Sequence, residues 1–554
     1  MANTHSRQLS TISVVLTFLL AAAVPGAASE PASTVPLFDN LGTHHYTITT
    51  RVPLAQRYFD QGLRLYYAFN HAEAIRAFEE ASRLDPDCAM CYWGIALAHG
   101  PNINAPMERP AALAAYDAIQ KAVARQAAAD PKEQALIRAL SSRYAAEPPE
   151  ERSGLDRAYA DALREVAHRY PTDDEIGTLY AEALMDLSPW NYWTPDGKPR
   201  TNTPQILSQL ERVLASNPKH PGANHFYIHA VEAAQPERAV AAAERLATVM
   251  PGAGHVVHMP GHIYIRVGRY LDAIKANEHA VHADETYIQD QRPKKGIYTL
   301  GYYLHNYDFL AFAASMIGRS RQTMAAVEKM RGAAPSELLR EPAMTFLQHH
   351  DTRHLQMHVR FSRWQAILDA PAPGEDLPHA RAMWQYARGR ALAATGKLTE
   401  AEEALAELRK MAKAPDVASL RLEFNTSGQI LGIAGEVLAG HIAEAKGDKR
   451  AAIGHLREAL RLEDALTYGE PPEWSVPVRQ ELGMMLLRAD QAAEAEQVFR
   501  EDLKKFPDNG WSLRGAALAL RREGRTEEAA RMESRFKDVW ASADVEGPVV
   551  SASK

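Results

Sequence analysis

Five histidines between positions 221 and 266 have the spacing expected of metal ligands or of acid–base catalysts. His225 and His229 are four residues apart, so a helix places both on one face. A second group follows at spacings of three and four, which also forms a single stripe on a helix: His255, His258 and His262. Imidazole suits zinc, copper, nickel and iron. The pattern therefore predicts a metal site or a catalytic site built on neighbouring helices.

The predicted metal ligands are a subset of the histidines in this region: His225, His229, His258, His262 and His305. His255 is predicted to line the groove that holds the ligand. Imidazole ligands and the absence of the HExxH signature of zinc proteases leave a transition metal, zinc or copper, as the expected cofactor without assigning a reaction. The alternatives are a metal-free polar pocket and a set of buried structural histidines.

Two carboxylates lie where they could serve the same site. Glu232 follows His229 by three residues and is predicted to act as the general base, with metal ligation or ring orientation as its other possible roles. Asp308 follows His305 by three residues and is predicted to line the groove.

The two cysteines of the chain, Cys88 and Cys91, are spaced i, i+3 at the start of a predicted helix. In an oxidising compartment this spacing favours a local disulfide. A thiol of lowered pKa at a helix N-terminus is the alternative. Covalent haem is not expected because Tyr92, and not a histidine, follows Cys91. No nucleotide cofactor is expected, since the sequence has no glycine-rich phosphate loop.

Two insertions rich in aromatic and turn-forming residues interrupt the helical pattern, at 188–199 and at 469–477. Loops of this kind in a repeat protein often carry function. Trp190 and Trp193 are predicted to line the ligand groove, and the alternative is that these side chains plug gaps between helices. A third histidine run, at 350, 354 and 358, predicts an exposed helical ridge, an extension of the same site or a separate weak metal patch.

Most of the chain from residue 53 to 540 has helical periodicity and short turns. A motif of small residues, an aromatic and a proline occurs twice, about 420 residues apart: Gly62, Ala74, Phe78, Ala81 and Pro86, then Gly483, Ala495, Phe499 and Pro507. This spacing resembles the tetratricopeptide repeat (TPR), a 34-residue helix pair. The resemblance implies an all-α, TPR-like α-solenoid, a right-handed superhelix of helix hairpins with a concave groove.

The resemblance also places the histidines. With Gly268 as the turn glycine of one unit, it puts the 255–262 histidines on the groove side of the first helix. The next unit puts His305 and Asp308 on the same side, whereas His225 and His229 fall one residue out of register. A one-residue change in the turn around Gln235 and Pro236 would bring them into line.

The N-terminus begins with a short basic segment and an apolar run followed by small residues, which predicts a cleavable signal peptide and a periplasmic or secreted location. A membrane anchor is the alternative, although the apolar run is short for a span. The predicted organisation is a signal peptide (1–28), a disordered leader (29–52), N-terminal TPR-like repeats with the aromatic insertion (53–200), His-rich repeats (201–370), a linker (371–376), C-terminal repeats (377–540) and a disordered tail (541–554).

Charge and hydropathy limit the partners. The formal net charge is −7 and no basic block occurs, which argues against nucleic acid as a partner. No later segment is apolar enough for stable membrane insertion after signal cleavage. The expected partner is therefore a protein, a peptide or a small ligand in the groove. The predicted function is that of an exported binding or scaffold protein, and the alternative is a metal-dependent periplasmic enzyme, either a hydrolase or an oxidase.

Overall fold

The computed structural model describes residues 35–293, 296–341 and 344–549. The predicted signal peptide lies outside these ranges. Within them the secondary structure is helical, and extended pairing is limited to isolated bridges. The α-helices are α1 (Pro53–Tyr67), α2 (His71–Leu84), α3 (Ala89–Ala98), α4 (Arg109–Arg125), α5 (Pro131–Ser141), α6 (Ser153–Arg169), α7 (Asp174–Asp186), α8 (Thr203–Ser216), α9 (Pro221–Val231), α10 (Val240–Val249), α11 (Gly254–His258), α12 (Pro260–Arg266), α13 (Tyr270–Gln291), α14 (Tyr303–Met316), α15 (Ser320–Ala333), α16 (Phe346–Arg360), α17 (Trp364–Asp369), α18 (Pro378–Ala394), α19 (Leu398–Lys413), α20 (Pro415–Ala418), α21 (Ser427–Ala445), α22 (Lys449–Asp464), α23 (Val478–Arg488), α24 (Ala492–Lys505), α25 (Gly510–Arg522) and α26 (Thr526–Trp540).

Consecutive helices pack as pairs along the chain, for example α1 on α2, α18 on α19 and α25 on α26. The repeated sequence motif has a direct packing cause. A Cβ atom on Gly62 would lie 2.6 Å from the ring of Phe78, and one on Gly483 would lie 2.5 Å from the ring of Phe499. Only glycine lets the two helices approach across these buried rings. The predicted all-α, TPR-like solenoid is confirmed.

The superhelix winds tightly enough for distant helices to meet. Helix α1 contacts α9, and a Cβ on Gly222 would lie 2.4 Å from the ring of Tyr67. The loop at 469–477 reaches back to the middle of the chain, where Glu470 pairs with Arg266 at 3.2 Å. The four helices that carry the clustered histidines, α9, α11, α12 and α14, therefore lie inside the winding and not on an open groove.

The described part of the predicted disordered leader is ordered from residue 37 onwards. Leu41 and Ile48 are buried, and Thr49 N donates to Glu133 Oε1 at 2.5 Å. The segment looks unstructured in sequence because it is polar and lacks periodicity, but its polar groups are hydrogen-bonded to helices. The described part of the predicted disordered tail is also ordered. Asp544 accepts a hydrogen bond from Ser320 N, at the start of α15, at 2.7 Å.

No helix among the described residues combines the length and the hydropathy that a bilayer span requires.

Candidate metal centre

Four helices bring six histidines together. Helix α9 carries His225 and His229, α11 carries His255 and His258, α12 carries His262 and α14 carries His305. Met259, between α11 and α12, has helical dihedral angles (φ −50°, ψ −36°). Pro260 can therefore follow in the first turn of α12 without breaking the stripe, because that position needs no backbone donor. We call the six side chains the imidazole cluster.

Half of the cluster is the set formed by His225, His229 and His255, here called the 225 set. One nitrogen from each ring lies within 4.8 Å of the corresponding atoms of the other two. The ring centroids are 5.0 Å apart for His225–His229, 5.0 Å for His225–His255 and 6.5 Å for His229–His255. Three imidazoles around one ion, with metal–nitrogen bonds of about 2 Å, have ring centres roughly 5 Å apart. The 225 set is close to that arrangement.

The other half is the 258 set, formed by His258, His262 and His305. Its ligand atoms also lie within 4.8 Å of one another. The ring centroids are 4.7 Å apart for His258–His262, 5.0 Å for His258–His305 and 5.6 Å for His262–His305. This set is the more compact of the two.

Hydrogen bonds fix which nitrogen of each ring faces the centre of its set. His225 Nδ1 donates to the carbonyl oxygen of Tyr67 at 2.7 Å, and its Nε2 has no partner among the described residues. His258 Nδ1 donates to Asn277 Oδ1 at 3.1 Å. The amide of Asn277 is itself oriented, since its Nδ2 donates to Ala273 O at 2.8 Å. In both rings Nε2 is therefore the unprotonated nitrogen, which is the form that binds a metal.

Glu232 joins the two sets. One carboxylate oxygen accepts from His229 Nδ1 at 3.0 Å, and the other accepts from His262 Nδ1 at 2.6 Å. The carboxylate is fully buried. Burial alone would raise the pKa of Glu232, but the imidazoles of His262 and His229 outweigh it and lower that pKa to about 2. Since both oxygens are engaged, the geometry supports the orienting role among those that the sequence allows for Glu232.

The two nearest rings of the 258 set meet nitrogen to nitrogen. His258 Nε2 and His262 Nε2 are 3.0 Å apart, which is a hydrogen-bond distance, and their Nδ1 atoms face Asn277 and Glu232. Burial, and next the neighbouring imidazole of His262, lower the pKa of His258 well below its usual range, which opposes a second proton on that ring. A proton on His262 Nε2 or a bound cation satisfies the lone pair of His258 Nε2 in this buried space.

Three further rings are held neutral. Burial and the adjacent imidazoles lower the pKa of His225 and of His255 well below the usual range of histidine. Burial lowers the pKa of His305 to about 3. Neither nitrogen of His255 has a hydrogen-bond partner among the described residues. A buried polar atom without a partner is costly, so these nitrogens favour a bound ligand.

A cavity of about 610 Å³, here called the chamber, borders the cluster. Two histidines of each set face it, His229 and His255 from the 225 set and His262 and His305 from the 258 set. His225 and His258 lie behind them. Aromatic and amide side chains complete much of the wall: Trp190, Tyr302, Phe346, Phe424, Asn102 and Asn104. An ion in either set would therefore have an open side towards the chamber.

The two predicted groove tryptophans lie in different places. Trp190 lines the chamber, its Nε1 donates to Asn104 Oδ1 at 3.0 Å, and its ring lies 4.9 Å from that of Phe424. Trp193 lies against helix α9, where its Nε1 donates to Ala230 O at 2.7 Å. Its ring borders a different cavity. The structure thus brings Trp190, but not Trp193, to the histidines.

Asp308 also lies away from the chamber wall. It is buried, and its Oδ2 accepts from Arg353 Nη2 at 2.8 Å and from Nε at 3.0 Å. The nearest imidazole contact of Asp308 is His350 Nδ1 at 3.9 Å. An ion pair holds this carboxylate, so it is not free to act on a ligand.

The third histidine run is not an exposed ridge. His350 and His354 are buried, and His350 Nε2 lies 2.9 Å from Glu423 Oε1. The expectation of exposure was wrong because α16 runs between its neighbours α15 and α18 and against the 469–477 loop, through Arg353. Glu423 lines the chamber, so His350 supports its wall from behind.

Cys88 and Cys91 form a disulfide, with Cys88 as the N-cap residue of α3. The bridge lies in the first turn of the helix. It is remote in sequence from the imidazole cluster and contributes no thiolate to it.

Two further groups have a spacing compatible with a metal. One consists of His229, Glu232 and His262, where the two sets adjoin and the carboxylate accepts from both rings. The other is His44 and His220 with Glu175. Here the hydrogen bonds point the other way. Ala223 N donates to His220 Nδ1 at 3.2 Å, so the proton of that ring is on Nε2, which faces Glu175 at 3.4 Å. Glu175 also accepts from Tyr67 Oη. The three side chains are therefore joined by hydrogen bonds, and their nitrogen lone pairs do not converge on a common point.

Several residues of the site carry no sequence signal. Asn277 orients His258, and the Tyr67 carbonyl orients His225, yet neither belongs to a motif. Phe69 has φ 55° at the turn after α1, which places its ring 4.5 Å from that of His225. Phe424 and Glu470 reach the chamber from the C-terminal half. A buried ring with one nitrogen tied to a backbone carbonyl is recognisable only once the winding is known.

The fold defines the protein as a TPR-like α-solenoid with an imidazole cluster enclosed in its winding. The sequence matches no protein-family model and no curated protein. Among solved structures, the chain is similar to a human IFIT1 dimer with m7Gppp-AAAA, at 14% identity over 89% of this chain and 92% of that one, with a TM-score of 0.30. It is also similar to the APC/C hetero-tetramer Cut9–Hcn1 (12% identity, 88% and 74% covered, TM-score 0.30) and to yeast Tom70 (11%, 88% and 91%, 0.29).

Proposed function

We propose that this protein is an exported TPR-like binding protein whose imidazole cluster holds a transition metal beside the chamber. The observation that carries the proposal is the convergence of six imidazoles into two sets, in each of which the ligand nitrogens lie within 4.8 Å of one another. The donor set suits zinc or copper, because it consists of imidazoles, four of which have Nδ1 hydrogen-bonded to an acceptor.

Elemental analysis tests this proposal. Protein purified without a histidine tag and reconstituted with zinc or copper should retain stoichiometric metal after gel filtration, and the His258→Ala/His262→Ala variant should lose at least half of it. The matched control is His279→Ala/His282→Ala, which changes two exposed histidines of α13 and should retain the wild-type amount. Wild-type protein that retains no metal would overturn the proposal.

The chamber supports a small partner rather than a folded one. Its volume of about 610 Å³ lies within the range of small-molecule sites. The aromatic side chains of the wall suit a planar ligand or one side chain of a peptide, and the charged side chains beside them suit polar groups on that ligand: Arg152, Asp156, Asp186, Glu423 and Glu470. Equilibrium dialysis of metal-loaded protein with aromatic probes tests this, and Trp190→Ala should weaken the binding that is found.

An enzymatic role is a second candidate, favoured by one observation. Two histidines of each set face the chamber, so a bound ion keeps an open position, as catalytic metal sites do. Metal-loaded protein should then hydrolyse ester probes or consume dioxygen with a reductant, and the His258→Ala/His262→Ala variant should not. Metal-loaded protein that binds a ligand but converts none of the substrates would contradict the enzymatic role and leave only the binding role.

Export is part of the proposal and is supported by the basic–apolar–small pattern of the first residues and by the Cys88–Cys91 disulfide, which suits an oxidising compartment. N-terminal sequencing of the mature protein from the periplasm or medium should find cleavage after Ala28 or Ser29. Intact protein confined to the reducing cytoplasm would contradict export without affecting the metal site.

A further inference from the structure

The imidazole cluster contains two complete three-histidine sets and therefore offers positions for two ions. Within each set the ligand atoms lie within 4.8 Å of one another. The sets adjoin through two ring pairs, His229–His262 at 5.2 Å and His255–His258 at 5.4 Å. A single ion, with metal–nitrogen bonds of about 2 Å, can be central to one set but not to both.

We propose that the cluster is a dinuclear centre that holds two copper(I) ions, one in the 225 set and one in the 258 set, with both ions facing the chamber. The inference rests on the proposed function, that the cluster binds a transition metal, and adds the number, identity and charge of the ions.

Glu232 makes the two ions neighbours. Its two oxygens accept from one ring of each set, His229 and His262, at 3.0 and 2.6 Å. The carboxylate therefore sets the orientation of both rings at once and places one negative charge between the ions. A change of ring orientation in one set moves the acceptor of the other, so the two sets are mechanically coupled.

Charge favours the lower oxidation state. The two sets consist of imidazoles and contain no anionic ligand. Glu232 hydrogen-bonds to one ring of each set, whereas the buried carboxylates of the chamber wall have partners of their own. Asp156 and Asp186 pair with Arg143, Glu423 lies 2.9 Å from His350 Nε2, and Glu470 pairs with Arg266 at 3.2 Å. Two monovalent ions beside Glu232 leave less positive charge in this buried site than two divalent ions, and buried unpaired charge is costly.

A neighbouring copper(I) pair has a defined reaction with dioxygen. Each copper(I) gives one electron and becomes copper(II), and dioxygen takes both electrons and becomes peroxide. The step forms two copper–oxygen contacts, breaks the oxygen–oxygen π bond and needs no further reductant. A single copper(I) ion supplies only one of the two electrons. The chamber gives dioxygen access to both ions from one side.

The test is a copper count followed by electron paramagnetic resonance. Metal-free, full-length mature protein is loaded with excess copper(I) without oxygen, desalted, counted and then exposed to dioxygen. Wild-type protein should hold two coppers per chain and should give little resonance signal after oxidation, because two bridged copper(II) spins cancel. His225→Ala and His305→Ala should each hold one copper and, after one-electron oxidation with added ferricyanide, give the full signal of one isolated copper(II). The exposed-site control His279→Ala should match the wild type.

The copper count, the resonance signal and the metal competition test the number of ions, their coupling and their identity separately. One copper per wild-type chain would overturn the pair while leaving the proposed metal site in place, and no retained metal would overturn both. Two coppers with the signal of two isolated spins would overturn the coupled centre. Retention of two zinc ions in an equimolar competition with copper(I) would overturn the choice of copper. Circular dichroism melting of the metal-free variants, with His225→Gln and His305→Gln as milder changes, separates loss of a ligand from loss of the fold.

Discussion

At the scale of single residues, the site depends on side chains that hold the imidazoles rather than on the imidazoles alone. A ring that binds a metal through Nε2 must keep its proton on Nδ1, and that proton needs an acceptor. The Tyr67 carbonyl, Asn277 and Glu232 supply acceptors to four of the six rings. Glu232 serves two rings at once, so it is the position where one substitution affects both sets.

The variant Glu232→Gln should bind copper 10- to 100-fold more weakly than the wild type, the range typical of a lost acceptor behind a metal-binding histidine. The amide can accept from His229 or from His262, but its NH2 group then opposes the Nδ1–H of the other ring. Competition with a chelator of known affinity measures the loss. Glu237→Gln, an exposed position five residues on, should leave the affinity unchanged, and an unchanged affinity in Glu232→Gln would refute the orienting role.

A second residue-scale prediction concerns pH and a carboxyl group far from the cluster in sequence. Burial raises the pKa of Glu463 to about 7, while its ordinary value is 4.5. The folded state therefore keeps this proton between pH 4.5 and 7, where the unfolded chain releases it. The contribution of Glu463 to the free energy of unfolding is therefore complete below pH 4.5. It is lost as the pH rises from 4.5 through 7, by roughly 3 kcal/mol in total.

The variant Glu463→Gln should remove that loss, because its amide oxygen can still accept from Val478 N without charge. Urea unfolding between pH 4.5 and 8 should show a flatter free-energy profile for the variant than for the wild type. The control variant Glu458→Gln, at a partly exposed position, should follow the wild-type profile. Parallel profiles for wild type and Glu463→Gln would mean that the Glu463 carboxyl titrates normally.

At the scale of helices, part of the site is predictable from spacing and part is not. The three- and four-residue steps of His255, His258 and His262 predict one stripe, and the structure keeps it because Met259 stays helical. The one-residue offset of His225 and His229 depends on the short 3-10 helix Pro236–Ala239, whose geometry no repeat motif specifies. Periodicity fixes the face of a helix, but its rotation relative to the next helix depends on the turn between them.

Helix α11 reaches the cluster because its first residue is small. A Cβ on Gly254 would lie 2.0 Å from Asp284 Oδ1 on α13, and Asp284 is held by Tyr298 Oη at 2.7 Å and by Asn306 Nδ2 at 2.7 Å. Gly254→Ala should therefore push α11 from α13 and lower the free energy of unfolding by about 1–3 kcal/mol. It should also weaken copper binding, since His255 and His258 move with the helix.

The matched control for Gly254→Ala is Gly454→Ala, in the exposed face of α22. No atom lies within 4 Å of the Cβ that would be added there. This change should raise the free energy of unfolding by about 0.5–1 kcal/mol, because alanine restricts the unfolded chain and suits a helix. Chemical denaturation of both variants checks the opposite signs. Equal changes in the free energy of unfolding for the two variants would show that the close approach of Gly254 to Asp284 does not affect stability.

At the scale of the whole molecule, the chamber exists because the superhelix closes on itself. Its wall joins Asn104, Trp190, Tyr302 and Phe424, which are up to 320 positions apart in the sequence. The repeat motif predicts a solenoid with a groove, and the clustered histidines predict where chemistry would occur. Neither indicates that the groove is covered, since the covering residues come from irregular segments, namely 101–107, 189–190, 422–424 and the loop at 469–477.

Arg353 anchors the loop at 469–477, so a substitution of Arg353 tests whether this loop stays docked. It is buried, pairs with Asp308 at 2.8 Å, and donates to Glu473 O at 2.6 Å and to Pro472 O at 3.3 Å. Arg353→Met should leave a buried carboxylate and two carbonyls without their donor. The expected loss is about 3–5 kcal/mol of unfolding free energy, as for a buried pair deprived of one partner. Denaturant unfolding measures it.

Local release of the loop should accompany that loss, because the ring of Trp474 is buried 5.3 Å from Tyr386 only while the loop is docked. Chymotrypsin should cut the Arg353→Met variant after Trp474 under conditions that leave the wild type intact. Asp308→Asn added to Arg353→Met should restore part of the stability by removing the stranded charge, but not the protection of Trp474. The exposed Arg340→Met variant, which breaks a surface pair with Asp376, should cost less than about 1 kcal/mol and leave Trp474 protected. Protection of Trp474 in both Arg353 variants would mean that other contacts, and not those of Arg353, keep this loop docked.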